Sequence, residues 1–333
     1  MTVLSKVNIV EQYLGNANIS SDKLQKAHAL HRSSLITSQM WEIEIVLAAI
    51  LDRMEALGIG LDTQYLNSLH AQVADNKQLV NLLFTGNDSV FAKKSNDRVC
   101  SHYDLAGKVF KLTCSKPAVT LVPKSYRKVF KARSGYTLIS CDIKALHVRI
   151  LAHYLAKLGY NELVHTVASG DIHTQNQIKY NLESRDEAKK QLYALLYSNN
   201  TRLKISGLSE LKLMLNTVLA DRGHLNVLGQ LKAFCKDNSQ ALSYLILNTD
   251  GILMKTLIIL LELSLKVGGL KSSLEKNYDY EFVMLNNDEI VLEVKTSLSS
   301  TFSNYLEKAL CETNTMYSLL CPLQAKMICG ATL

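Results

Sequence analysis

The spacing of apolar residues along the chain predicts a helix-rich protein. Apolar positions recur at three- and four-residue intervals in several long segments, and Gly58 ends the first of them. The segments with this helical spacing are, in chain order, about 41–57, 63–83, 146–199, 241–267 and 299–313. Helix therefore accounts for most of the predicted structure.

Strand-like patterns occur in two places. Residues 136–141 (YTLISC) form a candidate strand that ends at Asp142, and residues 281–294 (EFVMLNNDEIVLEV) have two β-rich arms about a polar tip. Residues 85–135 lack clear periodicity and indicate loops with short strands, and residues 203–240 are ambiguous.

Basic residues are concentrated in one segment. Residues 93–133 contain eleven Lys or Arg and two acidic residues, a local net charge of +9, whereas the whole chain carries +7. Such a block favours a polyanionic partner, most simply nucleic acid, and the alternative is a solvated basic loop. The chain has 333 residues, 47% of them hydrophobic, which is enough for a substantial core and excludes a disordered or fibrous protein.

The cysteine pattern and the most apolar stretch indicate the cellular compartment of the protein. The seven cysteines are scattered and form no Cys-X-X-Cys pair, so we expect reduced thiols in a cytosolic protein, without a zinc site or a disulfide framework. Residues 251–265 (GILMKTLIILLELSL) are interrupted by Lys255 and Glu262, which favours a buried or amphipathic helix over a membrane span. We therefore expect no membrane partner.

The end of the first candidate strand carries a carboxylate that could take part in catalysis. In SCDIKALHVRILAHY (140–154), Asp142 ends the strand, and His147 and Arg149 lie near the first turns of the following helix. A carboxylate at a strand end can hold Mg²⁺, which prefers oxygen ligands. The alternative is a helix N-cap, a common role for aspartate at such a junction.

One helical segment carries a stripe of cations and aromatic rings. Arg185, Lys189, Tyr193 and Tyr197 recur every four residues in RDEAKKQLYALLY, and each step advances about 400°, so their side chains share one face. Two cations followed by two rings suit a triphosphate followed by a base. The alternative is an amphipathic helix whose leucines face the core and whose stripe faces solvent.

The polar tip NNDE (286–289) carries two further carboxylates. Asn-Asn is a good turn sequence, and the simplest interpretation is a turn. A second interpretation is that Asp288 meets Asp142, with Glu289 beside them. Two aspartates that hold two Mg²⁺ ions form the arrangement that nucleotidyl transfer uses.

These segments, in this order, resemble the family A DNA polymerases, the DNA polymerase I type, and in particular their phage replicative branch. CDIKALHVRILAHY resembles motif A, GDIHTQNQIKYNLESRDEAKKQLYALLY (170–197) resembles the fingers helix with its approach, and NNDEIVLEV resembles motif C. Upstream, residues 42–62 resemble the start of the thumb, and AGK (106–108) with VPKSYRKVF (122–130) resembles the stretch that leads into the palm. The similarity covers roughly residues 40–333.

The resemblance implies a template-directed DNA polymerase that adds dNTPs to a primer 3′-hydroxyl, with two Mg²⁺ ions as cofactors. It implies these roles at the reaction centre: Asp142 and Asp288 as metal ligands, Glu289 as their catalytic support, Arg185, Lys189 and His173 at the triphosphate, Tyr193 against the nucleotide, Tyr197 near the templating position, and His147 beside the sugar. The residues implied to hold DNA are Lys108, Lys124, Arg127, Lys128, Arg149 and Asn287. DNA affinity would then depend on salt.

The resemblance also implies an architecture: a helix-rich α+β right hand with an antiparallel-sheet palm, helical fingers and a reduced thumb. The expected division is an N-terminal helical extension (1–38), a reduced thumb and approach to the palm (39–110), palm with motif A (111–160), fingers (161–240) and palm with motif C (241–333). About 40 residues precede the thumb-like helix, so we expect no proofreading exonuclease domain. Beside primer–template DNA and dNTPs, a processivity factor or a separately encoded exonuclease is the expected partner, in the host cytoplasm if a phage encodes the chain.

Several positions depart from the family's pattern, three of them in the motifs described above. His147 replaces an acidic residue that helps to exclude ribonucleotides, Asn287 replaces a histidine before the motif C aspartate, and Ser198 replaces a glycine. These departures leave a second hypothesis, a catalytically weak or inactive polymerase-like module that binds DNA or a replication partner. A two-metal nuclease of unrelated fold would explain the carboxylates but not the helical stripe.

Overall fold

Helices and one antiparallel sheet make up most of the described protein. The computed structural model describes residues 19–198, 203–235, 237–273, 275 and 277–333, so the predicted N-terminal extension is described only from residue 19. The α-helices are α1 (Ser21–Arg32), α2 (Ser38–Leu57), α3 (Thr63–Gln72), α4 (Lys77–Val80), α5 (Val90–Lys93), α6 (Leu146–Lys157), α7 (Glu162–Ser169), α8 (Ile172–Lys179), α9 (Arg185–Tyr197), α10 (Leu208–Arg222), α11 (Ala241–Val267) and α12 (Phe302–Met316). The strands are β1 (Ile59–Gly60), β2 (Lys94–Ser95), β3 (Arg98–Val99), β4 (His102–Asp104), β5 (Thr113–Ser115), β6 (Tyr136–Ile143), β7 (Leu225–Val227), β8 (Leu231–Ala233), β9 (Tyr280–Asn286), β10 (Glu289–Lys295) and β11 (Ala325–Gly330).

The largest sheet has four antiparallel strands in the order β11-β6-β10-β9. Strand β6 lies between β10 and β11, and Asp142 is paired with Glu289 on one side and with Lys326 on the other. The predicted strand and the predicted hairpin are therefore neighbours in one sheet. This arrangement confirms the predicted helix-rich α+β fold with an antiparallel palm sheet.

Alternation along β6 places different side chains on the two faces of this sheet. Ile139, Cys141 and Ile143 belong to the main hydrophobic core, whereas Leu138 belongs to a second core beneath residues 59–130. Because successive side chains of a strand point to opposite faces, Asp142 lies on the face opposite Cys141 and Ile143. The sheet is thus covered on both sides, and Asp142 is reached from its end.

Two buried helices, α2 and α11, form the centre of the main core. The apolar segment Asn238–Val267 is long and apolar enough to cross a membrane, but 89% of its most apolar window is buried inside the protein, as expected for a core helix. Helix α2, which lies in the predicted thumb range, packs against α11 and β9. The domain boundaries stay a prediction, and α2 contributes to the core on which the palm sheet rests.

Ion pairs tie the two core helices to each other and to the sheet. Arg53 of α2 lies 3.0 Å from Glu262 of α11 and 3.0 Å from Glu281 of β9, and Lys255 of α11 lies 2.7 Å from Glu44 of α2. A buried charge is costly unless it is paired and hydrogen-bonded. These pairs therefore fix how the helices sit on the sheet that carries Asp142.

Several element boundaries differ from the predicted ones. The helix expected over 63–83 stops at Gln72, because Asn76 caps a new short helix by accepting a hydrogen bond from Leu79 N. The segment 146–199 divides into four helices, α6 to α9, where turns and side-chain caps interrupt it. The ambiguous segment contains α10 and the β7–β8 hairpin, and the tail adds β11 to the edge of the palm sheet.

Candidate active site

The two candidate metal ligands come together at one end of the palm sheet. The β9–β10 hairpin turns at Asn287 and Asp288, and the backbone N–H of Ile143 donates to the backbone carbonyl of Asp288 at 2.8 Å. Asp142 is no helix cap, because α6 begins at Leu146 after Ala145, which has a left-handed φ of 49°. The N-cap interpretation of Asp142 is therefore wrong.

Nearby carboxylates in this region raise the pKa values of their neighbours. Burial and the negative charges of Asp142 and Asp250 raise the pKa of Asp288 above its usual value. Burial raises the pKa of Tyr193 on α9, and the charges of Asp288, Asp250 and Asp142 add to this effect. The helical stripe therefore presents Tyr193 towards the aspartates, and the solvent-facing interpretation does not describe this residue.

The N-terminal half of α9 holds its cations beside α8. The Arg185 guanidinium donates two hydrogen bonds to the carboxylate of Asp171, at 2.9 and 3.0 Å. Lys189 is exposed, and its Nζ lies 5.9 Å from the Tyr193 ring centroid. His173 is buried, and burial with the nearby positive charges of Arg185 and Lys189 lowers its pKa. Within the described parts of the chain, His173 Nδ1 has no hydrogen-bond partner.

His147 connects the palm to the C-terminal end of α9. Its Nε2 lies 2.7 Å from Asp250 Oδ2, and its Nδ1 lies 2.8 Å from the hydroxyl of Tyr197. Its ring centroid lies 6.0 Å from those of Tyr193 and Tyr197. Asp250 is fully buried in α11 and also pairs with Lys111 at 2.5 Å. The predicted residues of motif A, motif C and α9 therefore share one region.

Known proteins similar to this chain are DNA polymerases. No family model matches the chain. Over 56 residues it is 45% identical to the DNA-directed DNA polymerase of Escherichia phage T7 and, over the same length, 43% identical to that of Enterobacteria phage T3. Each match covers 17% of this chain and only 8% of the phage protein.

The whole fold also has a solved counterpart. The POL domain of Pol1 from M. smegmatis, solved in complex with DNA primer-template and dNTP, matches with a TM-score of 0.68 and 14% sequence identity. The match covers 97% of this chain and 81% of that chain. The resemblance to family A DNA polymerases is confirmed.

Two arginines that the family A resemblance assigned to DNA are buried inside the protein. Arg127 donates to Glu289 at 2.5 Å and to the Val122 carbonyl at 3.0 Å. Arg149 donates to backbone carbonyls of the segments that flank β6 and β11. Neither guanidinium belongs to the exposed basic surface, because internal acceptors hold both of them. Sequence charge alone could not separate them from their exposed neighbours.

Glu289, the third carboxylate of the family A pattern, is also held inside the protein. Only 6% of Glu289 is exposed, and its carboxylate accepts hydrogen bonds from Arg127 and, at 2.6 Å, from the Ser140 hydroxyl. Its contacts anchor the 3₁₀ turn Lys124–Val129 to the palm sheet. Glu289 therefore holds this turn beside the aspartates, and its carboxylate is engaged by these internal hydrogen bonds.

The remaining predicted DNA contacts are exposed. Lys108, Lys128 and Asn287 are exposed. Lys124 is exposed as well, and its Nζ lies 3.1 Å from Asp142 Oδ2, so it places a positive charge beside one candidate metal ligand. The residues predicted to contact DNA therefore divide into an exposed set and a buried set.

Asp250 and Lys111 were missed by the sequence interpretation. Asp250 is one of two acidic residues in the apolar helix α11, and it contacts a histidine 103 residues earlier in the chain. A charged residue in an apolar helix is the signal that could have identified it, since such a group is rarely buried without a partner. Nothing local could have identified the partner.

Proposed function

We propose that this chain is a template-directed DNA polymerase that adds dNTPs to the 3′-hydroxyl of a primer by nucleotidyl transfer. The observation that carries the proposal is the convergence of Asp142, Asp288 and the α9 stripe: the backbone N–H of Ile143, next to Asp142, donates to the Asp288 carbonyl at 2.8 Å, and the His147 ring centroid lies 6.0 Å from that of Tyr193. Carboxylates that can hold metal ions, cations that can bind a triphosphate and rings that can stack on a base would then lie in one region. The phage DNA polymerases and the M. smegmatis POL domain support the same activity.

The donor set at the aspartates fits Mg²⁺. Asp142 and Asp288 offer carboxylate oxygens, and burial together with the nearby charge of Asp142 raises the pKa of Asp288, so a bound cation would stabilise its ionised form. Among the described residues there is no group of three or more His, Cys, Asp or Glu side chains with metal-binding geometry. Mg²⁺ commonly uses one or two carboxylates together with waters and substrate phosphates. When bound, Mg²⁺ activates the primer hydroxyl and stabilises the leaving pyrophosphate.

The residues of the chain supply binding and orientation. Lys189 and Arg185 would neutralise the triphosphate, and His173 Nδ1 is a buried polar atom beside them that a phosphate oxygen could engage. Tyr193 would lie against the nucleotide base, with Tyr197 behind it. Holding the reactants in place is the main contribution that a protein makes to phosphoryl-type transfer.

A binding module without efficient synthesis is the second candidate function. The bidentate ion pair of Arg185 with Asp171 favours it, because a guanidinium already engaged by a carboxylate is less available to a triphosphate. The pair of Lys124 with Asp142 favours it in the same way, since that lysine competes with a cation.

Primer extension with Mg²⁺ and all four dNTPs distinguishes the two candidates. We expect wild-type extension, reduced about 100-fold or more in Asp142→Asn and in Asp288→Asn, because each loses several kcal/mol of charge stabilisation in the transition state. Asp279→Asn is the matched control, since Asp279 lies at the other end of the same hairpin and pairs with Lys295. Absence of wild-type extension together with salt-sensitive binding of primer–template would support the binding module.

A further inference from the structure

The carboxylate of Asp142 lies beside positive charge that the chain itself supplies. Lys124 Nζ donates to Asp142 Oδ2 at 3.1 Å, which is an ion pair with a hydrogen bond. Lys326 of β11 is the register partner of Asp142, so its side chain stands on the same face of the sheet. Two lysines therefore flank one of the two candidate metal ligands, and Lys124 is in direct contact with it.

The two partners of this ion pair are held in different ways. Asp142 belongs to β6, which is paired on both sides, and 34% of its side chain is exposed. Lys124 begins the 3₁₀ turn Lys124–Val129, which Arg127 anchors to Glu289. The Lys124 side chain itself is 75% exposed on a flexible four-carbon stem. The turn therefore keeps the lysine backbone beside Asp142, whereas the ammonium is free to leave the carboxylate.

A divalent cation and the Lys124 ammonium compete for the same carboxylate. A cation held by Asp142 would contact its oxygens directly, and two positive charges on one carboxylate repel each other strongly. Because Lys124 is tethered to the same chain, it competes at a high effective concentration with a cation that comes from solution. Binding of a cation at Asp142 therefore requires that the Lys124 ammonium move away.

We propose that Lys124 is an internal counter-ion of Asp142 that competes with divalent cations and thereby sets the metal affinity of this site. This inference rests on the proposed function, in which Asp142 is a metal ligand. The ammonium offsets the charge that Asp142 places beside Asp288, and it gives up this place when a cation binds. By linkage, a cation that binds at Asp142 weakens the ion pair by the same factor by which Lys124 weakens the cation.

Binding of Mn²⁺ to the full chain, followed by the electron paramagnetic resonance signal of the free ion, measures this competition. Mn²⁺ prefers the same oxygen ligands as Mg²⁺, and its binding can be measured without nucleotide or DNA. In Lys124→Ala we expect the Kd for Mn²⁺ to fall about 2- to 5-fold, the factor that corresponds to a surface ion pair of up to about 1 kcal/mol. Lys124→Arg keeps a cation within reach of the carboxylate, so its Kd should stay near the wild-type value.

Lys131→Ala is the matched control for the loss of one positive charge. Lys131 belongs to the same basic segment, is 53% exposed, and pairs with Asp62 at 3.6 Å rather than with Asp142. A fall in Kd for this variant as large as that for Lys124→Ala would reveal a general effect of net charge and would overturn the inference. In an Asp142→Asn background, Lys124→Ala should tighten Mn²⁺ binding no more than Lys131→Ala does, because the ion pair is already lost.

The outcomes also separate this inference from the proposed function. If Asp142→Asn weakens Mn²⁺ binding and Lys124→Ala keeps the wild-type Kd, the inference fails and the metal role of Asp142 stands. If Lys124→Ala tightens Mn²⁺ binding but the wild type extends no primer, the polymerase fails and the inference stands. If Asp142→Asn leaves Mn²⁺ binding unchanged, Asp142 is no metal ligand, and both the inference and the proposed metal site are overturned.

Discussion

The close approach of one loop to α11 makes Gly251 a sensitive position. A Cβ atom built on Gly251 would overlap the backbone carbonyl of Phe110, with its carbon only 2.5 Å away, and would lie 3.2 Å from Lys111 N. These neighbours are backbone atoms, which cannot rotate away as a side chain would. Gly251→Ala must therefore displace the loop that carries Lys111.

The opposing energies for Gly251→Ala can be compared directly. Alanine in a helix interior is favoured over glycine by about 1 kcal/mol. Against this, overpacking costs about 1–3 kcal/mol, and moving the loop strains the hydrogen bond of 2.8 Å from Phe110 N to Asn248 Oδ1, worth about 1 kcal/mol. Separating Lys111 from the buried Asp250 adds about 3–5 kcal/mol. We expect net destabilisation of about 4 kcal/mol or more.

Urea unfolding followed by circular dichroism measures this difference. Ser264→Ala is the matched control, because Ser264 lies in the same helix and its buried hydroxyl has no partner among the described residues. It should change the free energy of unfolding by no more than about 0.5 kcal/mol. A Gly251→Ala variant as stable as the wild type would refute the reasoning, since the loop would then not be held against α11.

Three further predictions concern the carboxylates and the basic surface. Asp288→Asn should raise the free energy of unfolding near neutral pH by about 0.5–2 kcal/mol, because it removes a buried charge and its repulsion by Asp142 and Asp250. Unfolding measured from about pH 8 to about pH 3 should show this gain decreasing as the pH falls through the raised pKa of the folded state and absent below the usual aspartate pKa, where Asp288 is neutral in both states. Glu289→Gln should cost about 3–5 kcal/mol in urea unfolding, because Arg127 is left buried and unpaired, whereas the surface change Asp279→Asn should cost about 1 kcal/mol or less. Lys128→Ala should lower the slope of log K against log salt for primer–template binding by about 1, and an unchanged slope would exclude a phosphate contact.

The parts of the fold that local pattern determines were predictable. Strand β6, the β9–β10 hairpin and helix α11 each have a periodicity or an apolar run long enough to outweigh single residues. The hairpin tip places Asp288 by turn chemistry alone, and pairing with β6 follows once both are strands of one sheet. Local pattern therefore predicted the position of each aspartate at a strand end, whereas their meeting was predicted from the resemblance to family A polymerases.

The missed features depend on contacts between distant segments. Strand β11 has a half-exposed alternation and forms at the sheet edge only because β6 is already there. Arg127 and Lys128 are adjacent in one basic run, yet the 3₁₀ turn buries the first against Glu289 and exposes the second. Charge counting cannot separate such neighbours, because burial depends on which side of the turn faces the sheet.

The histidine at position 147 contacts a buried carboxylate on another element, Asp250 of α11. A chain that had merely lost an acidic residue here would have no reason to bury Asp250, since an isolated buried carboxylate costs several kcal/mol. Instead Asp250 is paired with both Lys111 and His147, and His147 Nδ1 is in turn hydrogen-bonded to the Tyr197 hydroxyl. A negative charge therefore lies in this region on α11, and hydrogen bonds through His147 link it to Tyr197 of α9.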